Sequence, residues 1–463
     1  MFWRLVYNLF MTIRSKFALS AGLFSYTFLH KILHRGGTSL PGKIAYQLDP
    51  DILKEFSGKL QTVIVTGTNG KTLTTALCAR VLSKSNRLIV TNPSGSNMIQ
   101  GIVAALLAQR GQIMAAFDKG SLPIAVLEVD EANVKQVAAA LQPTHFVLTN
   151  IFRDQMDRYG EIYTTYEKIT DGINTAKKAE VLANGDSPIF ARKTYPNKAV
   201  YFGFSDQKSN KDLRAPNNTD GILAPTDDQV LHYHSLTYAN LGDYFTKDGS
   251  FKRPELKYSV SKITQLTPEK SEFEIDKNAF TLPLGGLYNI YNALAAYSLG
   301  REFQISSPDI FNALNADSRI FGRQEQLKIG NHLLTIVLIK NPVGANSVID
   351  MMMTDSQPFS LVTLLNANYA DGIDTSWIFD AEFEKLHQTK LAQIIVGGQR
   401  YKDFSVRLKM AGFKDQIIEK DFGKLLDHIQ ALPTTNVYVA ATYTSMLMFR
   451  AELAKAGLAK ESF

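Results

Sequence analysis

The stretch that most constrains this chain is TVIVTGTNGKTLTTALCARVL, residues 62–82. It opens with a β-branched run, Thr62 to Val65, turns through glycines and continues as a helical stretch, which reads as strand, phosphate loop, helix. Along the loop, Gly67, Thr68, Asn69 and Gly70 can turn backbone amides toward phosphate oxygens, and the new helix points its positive dipole end at them. Lys71 supplies a point charge for the β- and γ-phosphates, and the Thr72 hydroxyl is placed to ligate Mg²⁺. The longer motif G-x-x-x-x-G-K-[ST] is not met, because Val65 stands where its first glycine would be. The strand in front of G-T-N-G-K-T is what separates this reading from an ordinary turn and helix start.

Two further strands carry polar groups at their carboxyl ends, where open α/β sheets place ligands. Ile124 to Leu127 delivers Glu128, Asp130 and Glu131. Glu128 directly follows the strand and is expected to ligate the metal, whereas Glu131 reads as a solvated charge at the start of the helix EANVKQVAAAL. Phe146 to Thr149 runs into TNIFRDQMDRYGEI, where Asn150, Asp154, Gln155 and Asp157 suit magnesium or its water shell. These strands, separated by helices such as Leu73 to Leu82, predict a mostly parallel sheet with helices on both faces. A second α/β unit with strands HLLTIVLI, FSLVTLLN, LAQIIVGG and NVYVAAT is expected beyond Gln326, with the active site between the two.

Composition narrows the class. At 463 residues, 45% hydrophobic and 20% charged, the chain has the profile of a multi-domain globular protein. Its net charge of +6 is read as spread over both halves, with no Lys/Arg block of the kind that binds nucleic acid, so no nucleic-acid partner is expected. The single cysteine, Cys78, excludes an intramolecular disulfide and a cysteine-based zinc cage. Near the N-terminus, the longest stretch free of Lys, Arg, Asp and Glu, Phe17 to His30, is shorter than the ~20 residues of a spanning helix. No small-residue cleavage site follows it, which disfavours export. Phe2, Trp3, Leu5, Val6, Leu9 and Phe10 recur at helical spacing; such a helix packs on the protein body or lies on an anionic membrane surface.

In order along the chain, TGTNGKT, LEVDE, TNIFRDQMDRYG, ANGDSP (183–188), GGLYNIYNALAAY (285–297), FGRQEQ (321–326) and KNPVGAN (340–346) resemble the Mur ligase superfamily. Within it, DQMD in place of D-H-L-D, KNP in place of H-N-P, and DGIDTSWIFDAEFEKL (371–386), GGQRYKDFSVRLKMAG (397–412) and TYTS (442–445) are similar to the MurT family. Those proteins are the ligase subunits of lipid II isoglutaminyl synthases. The resemblance implies an N-terminal helical segment (1–45), a central ATP-binding domain (46–325) carrying a β-ribbon insert (205–256), and a C-terminal α/β domain (326–463). MurT proteins commonly hold zinc in that ribbon. Here Ala224, Asp227, Thr246 and Gly249 stand at the four ligand positions, so no zinc is expected. The insert should hold by strand pairing and by Tyr233, Tyr238, Tyr244 and Phe251. His232 and His234, at i, i+2, read as one face of a strand.

The resemblance implies a ligase that forms a carbon–nitrogen bond, with ATP and Mg²⁺ as cofactors. ATP activates the α-carboxyl of D-glutamate in the lipid II stem peptide as an acyl phosphate, and ammonia attacks it. Lys71, Thr72 and Glu128 would serve the phosphates and magnesium, Asn289 the base, and Arg323 the ribose or phosphate; Asn292 is expected to pack helices. Making ammonia from glutamine by the usual route needs an activated thiol, and Cys78 reads as a buried hydrophobe. The resemblance supplies a glutaminase partner, GatD, whose Cys and His would be joined by Asp374. The residues alone would make Asp371 and Asp374 turn and cap groups. The implied location is cytoplasmic, free or peripheral at the inner membrane face. A Mur-type amino-acid ligase, a folylpolyglutamate synthetase-like enzyme and a non-catalytic ATP-binding scaffold are the alternatives.

Overall fold

The computed structural model describes residues 13–31, 39–92, 96–154, 161–205, 212–216, 222–316 and 323–459. The expected helix over residues 2–10, together with Gln155 and Asp157, lies outside them. Helices α1 (Ile13–Lys31) and α2 (Leu40–Leu48) come first. The chain then alternates through β1 (Gln61–Thr66), α3 (Lys71–Leu82), β2 (Ile89–Thr91), α4 (Ile99–Asp118), β3 (Ile124–Glu128), α5 (Val134–Leu141), β4 (His145–Leu148), α6 (Ile162–Thr175), β5 (Glu180–Asn184) and β6 (Ala199–Phe204). This strand–helix alternation lays the strands parallel. Val63, Ile64 and Val65 are fully buried, as a strand covered on both faces demands.

The insert contributes a separate hairpin, β7 (His232–Tyr238) and β8 (Leu241–Phe245). β9 (Tyr258–Leu266) then rejoins the sheet parallel to β6, and β10 (Ser271–Ile275) and β11 (Asn278–Leu282) extend it antiparallel. The finished sheet has nine strands in the order β11-β10-β9-β6-β5-β4-β1-β3-β2. Helices α7 (Leu287–Glu302) and α8 (Ser307–Asn315) pack with α3 on one face; α1, α2, α4, α5 and α6 cover the other.

The second sheet begins at β12 (Arg323–Ile329) and continues through β13 (His332–Leu338), α9 (Pro342–Met352), β14 (Phe359–Leu364), β15 (Leu391–Gly397), α10 (Tyr401–Met410), β16 (Ile417–Ile418), α11 (Phe422–Gln430), β17 (Asn436–Ala441) and α12 (Tyr443–Lys455). Its order is β12-β13-β17-β14-β15-β16, parallel except for the β12–β13 hairpin. The four strands expected here are all present. β17 lies between β13 and β14, so the loops after β13, β14 and β17 converge at one carboxyl edge.

Candidate active site

The phosphate loop takes its shape from two glycines with positive φ, Gly67 (127°) and Gly70 (83°). A Cβ on Gly70 would strike the Asn292 side chain, so α7 packs where only glycine leaves room. The loop is clamped from the segment after β4. Asn150 Oδ1 accepts from the Asn69 amide at 2.9 Å, its Nδ2 donates to Asn69 O at 3.1 Å, and Thr149 Oγ1 donates to the same carbonyl at 2.9 Å. Asn150 therefore braces the loop with the side chain that the sequence suggested for magnesium. Thr68 and Phe152 are tied in the same way, Phe152 N donating to Thr68 Oγ1 at 3.0 Å.

Lys71 is buried and donates to Gly67 O at 2.5 Å and to both oxygens of Glu131 at 3.1 and 3.2 Å. Glu131 is buried and bound to the lysine, not a solvated helix-start charge: the turn after Asp130, whose carboxylate caps Ala132 N, swings it inward. Burial pulls the Lys71 ammonium down, yet Glu131, Asp130, Glu128 and Asp154 around it hold its pKa above the usual lysine value. Thr72 is buried in the first turn of α3. Glu128 is buried too, accepting from Asn97 Nδ2 at 3.0 Å.

Four carboxylates against Lys71 and Lys340 leave an excess of negative charge, and the buried Asp154 Oδ1 has no hydrogen-bond partner. That excess suits a divalent cation. No three His, Cys, Asp or Glu among the described residues form a ready-made cage. The donor set fits Mg²⁺, which takes one or two carboxylates and leaves its other positions to water and phosphate oxygens.

A cleft opens beside the loop, between the two sheets. Asn69, Gly70, Asn289 and Asn292 line one side, and Lys340 and Ser347 the other. Asn289 Nδ2 donates to Gly285 O at 2.7 Å, and its Oδ1 accepts from Asn292. Asn292 also accepts from Thr74 at 3.0 Å, so it packs α7 on α3 as expected and lines the cleft as well. The side chain of Arg323 is outside the described residues. Its neighbour Gln324, at φ 54°, bonds both the N–H and the C=O of Gly285, at 3.0 and 2.7 Å.

Further polar pairs cross between the domains. Asn69 and Asn341 exchange amide hydrogen bonds at 3.3 and 3.0 Å, Lys340 pairs with Asp154, and Arg153 pairs with Asp380. The last pair lies in the loop that carries Asp374. There Asp371 is buried and accepts from Thr444 N at 2.7 Å and from Thr444 Oγ1 at 2.5 Å, a structural anchor. Asp374 is exposed; the Ser376 amide and hydroxyl, at 2.8 and 3.0 Å, hold its carboxyl below the usual range, with a smaller contribution from Arg153. Tyr369, Ile373 and Phe379 are exposed in the same loop at 73%, 62% and 45%. Cys78 is fully buried in α3, and burial drives its thiol far up.

The four positions expected for zinc ligands are occupied as the sequence reads. Ala224 and Gly249 bring no donor, and the others join a polar knot: Thr246 Oγ1 and Gln229 Nε2 each donate to Asp248 at 2.8 Å, and Ser250 Oγ to Asp227 at 3.2 Å. Tyr233, Tyr244 and Phe251 form its small core with Ala215, Ala224 and Leu231. Tyr238 departs from the expectation: it packs on the main core and lines the cleft. His232 and His234 both lie against Phe245, one strand face as read. The docking bolt is Asp186, fully buried, which accepts from Arg253 at 2.8 Å, Tyr291 at 2.6 Å and Phe204 N at 2.7 Å.

Sequence reasoning missed Arg153, Asp380, Gln324, Asn341 and Tyr238 as site residues. Arg153 and Asn341 sat inside motifs already singled out, but their partners are 227 and 272 residues away and no periodicity links them.

A phosphate loop at the edge of one parallel sheet, facing a second α/β domain across a cleft, defines a Mur-type ATP-dependent ligase. Residues 65–300 match the Mur ligase middle domain and 338–446 the MurT ligase C-terminal domain. The fold is similar to that of a pseudomurein peptide ligase type C from Methanothermus fervidus, with a TM-score of 0.65 at 20% identity over 88% of this chain and 81% of that one. It is also similar to MurF from Acinetobacter baumannii, at 0.63 and 16% identity over 89% and 80%. In sequence, the chain is 45% identical to the MurT subunit of lipid II isoglutaminyl synthase from Streptococcus pneumoniae, over 96% of this chain and 98% of that one. The corresponding Staphylococcus aureus subunit is 34% identical over 84% and 86%. The chain belongs to the MurT family of Mur ligases.

Proposed function

We propose that this chain is the synthetase half of a lipid II amidotransferase, converting the D-glutamate α-carboxyl of the stem peptide to the amide with ATP and ammonia. The identity with two glutamine-hydrolysing MurT subunits carries this reading. Lys71 and the loop amides hold the phosphates, and Glu128 and Thr72 hold Mg²⁺, which when bound neutralises charge on the transferred phosphoryl group. The cleft residues Asn289 and Asn292, with Arg323 as the proposed ribose or phosphate contact, orient the nucleotide. The substrate carboxylate takes the γ-phosphoryl; ammonia then adds to the acyl carbon, loses a proton and expels phosphate. Preorganised dipoles and charges suffice for such chemistry.

The ammonia comes from a second subunit. The only thiol of this chain is buried in α3, whereas Asp374 is exposed, ionised and flanked by Tyr369, Ile373 and Phe379, a surface suited to an apolar partner. That partner is a glutaminase whose catalytic His would be oriented by Asp374. The test is mass spectrometry of lipid II incubated with the reconstituted pair, ATP and glutamine. Exchange of hydroxyl for amino in the stem peptide supports the reading; attachment of an amino acid, or no ATP-dependent product, refutes it.

A further inference from the structure

Helix α1 packs on the protein through Ala18, fully buried, and Gly22, where a Cβ would lie 2.8 Å from Leu107 Cδ1 and 3.0 Å from Ala45 Cβ, with Leu19 and Leu23 partly buried against the same core. Its outward side carries Phe17, Phe24 and Phe28, exposed at 64%, 72% and 40%. At the helical repeat these three fall within about 40° of one another, and Phe24 and Phe28 stack with centroids 6.2 Å apart. Arg14 and Lys16 are exposed on either side of this ridge. Contiguous exposed apolar surface of this kind marks an interaction site.

Charge identifies the occupant. Residues 1–48 contain Arg4, Arg14, Lys16, Lys31, Arg35 and Lys43 and no Asp or Glu; the remaining chain has 44 basic and 44 acidic residues. The whole net charge of +6 therefore lies in this segment, not across both halves. α1 also packs on the sheet face opposite α7, whereas the C-terminal domain reaches the α7 side through Val343. No described helix is long and apolar enough to cross a membrane. We propose that the outward face of α1 seats on an anionic lipid bilayer, with the phenyl rings at the acyl boundary and Arg14 and Lys16 at the phosphates. This rests on the reading of the substrate as lipid-linked, since a seated enzyme meets such a stem peptide in two dimensions.

The test is flotation of the full chain with its partner subunit on vesicles of phosphatidylcholine alone or mixed with phosphatidylglycerol. The wild type should float with the mixed vesicles and be released by salt. Phe17→Ser/Phe24→Ser/Phe28→Ser should bind about tenfold or more weakly with unchanged thermal unfolding. It should keep the wild-type rate on a soluble stem peptide while slowing on vesicle-embedded lipid II. Equal flotation on neutral vesicles, flotation of the triple variant like wild type, or no flotation at all overturns the proposal. So does a larger wild-type assembly in lipid-free solution that the triple variant dissociates, which would make a second copy the occupant. Failure of the wild type to amidate any substrate would sink the functional reading and leave the vesicle result standing.

Discussion

Lys71 is held in waiting. Among the described residues its ammonium is bound to Glu131 and loop carbonyls, and a nucleotide would have to draw it away. Replacing Lys71 by Ala should therefore lower ATP-dependent amidation roughly 100-fold or more, because a preorganised charge is lost from a buried site. The measurement is single-turnover phosphate release. On the proposed function, Asp374 would serve the other half-reaction. Asp374→Asn should suppress glutamine-dependent amidation and spare the ammonia-dependent rate; equal loss of both would mean the residue shapes the synthetase site instead. The local sequence exposed the loop glycines, Lys71 and Thr72, because a β-branched run, two glycines and a helix start are adjacent in the chain. It misjudged Glu131, because the direction of a side chain after a turn depends on what cation lies above it.

At the scale of elements, the Asp374 loop and the insert are each fastened by a charge pair. The half-exposed Arg153–Asp380 pair contributes little to stability, so its effect should be on orientation. Arg153→Ala should reduce the glutamine-dependent rate about tenfold or less, leave the ammonia-dependent rate and the thermal midpoint near wild type, and show non-additivity with Asp380→Asn. The Asp186–Arg253 pair is buried. Arg253→Ala strands the Asp186 carboxylate and should cost about 3–5 kcal/mol, read by urea unfolding. Chelators should leave the unfolding midpoint of the nucleotide-free chain unchanged, because Thr246, Gln229, Asp248, Ser250 and Asp227 hydrogen-bond to one another. The missing cysteines were plain in the sequence. The knot that replaces them was not, since its members include residues outside the four ligand positions.

At the scale of the whole molecule, two α/β sheets meet at a cleft crossed by Asn69–Asn341, Lys340–Asp154 and the Gln324 clasp on Gly285. Gln324→Ala should raise KM for ATP more than it lowers kcat, because it frees the start of the second domain from the wall of the cleft. A fall in kcat alone would place Gln324 at the reacting atoms. Strand–helix alternation in the sequence sufficed for the existence of both sheets, for three strands of the nine in the first and four of the six in the second, since a buried parallel strand must be a continuous apolar run and each crossover a helix. It also sufficed for the phosphate loop, whose groups are neighbours in the chain. Tertiary structure alone decided which carboxylate takes Lys71, which asparagine braces the loop, how Arg153 reaches the Asp374 loop and which side of α1 turns outward. Those outcomes depend on contacts between residues as many as 227 positions apart, set by how the sheets pack and carried by no local pattern.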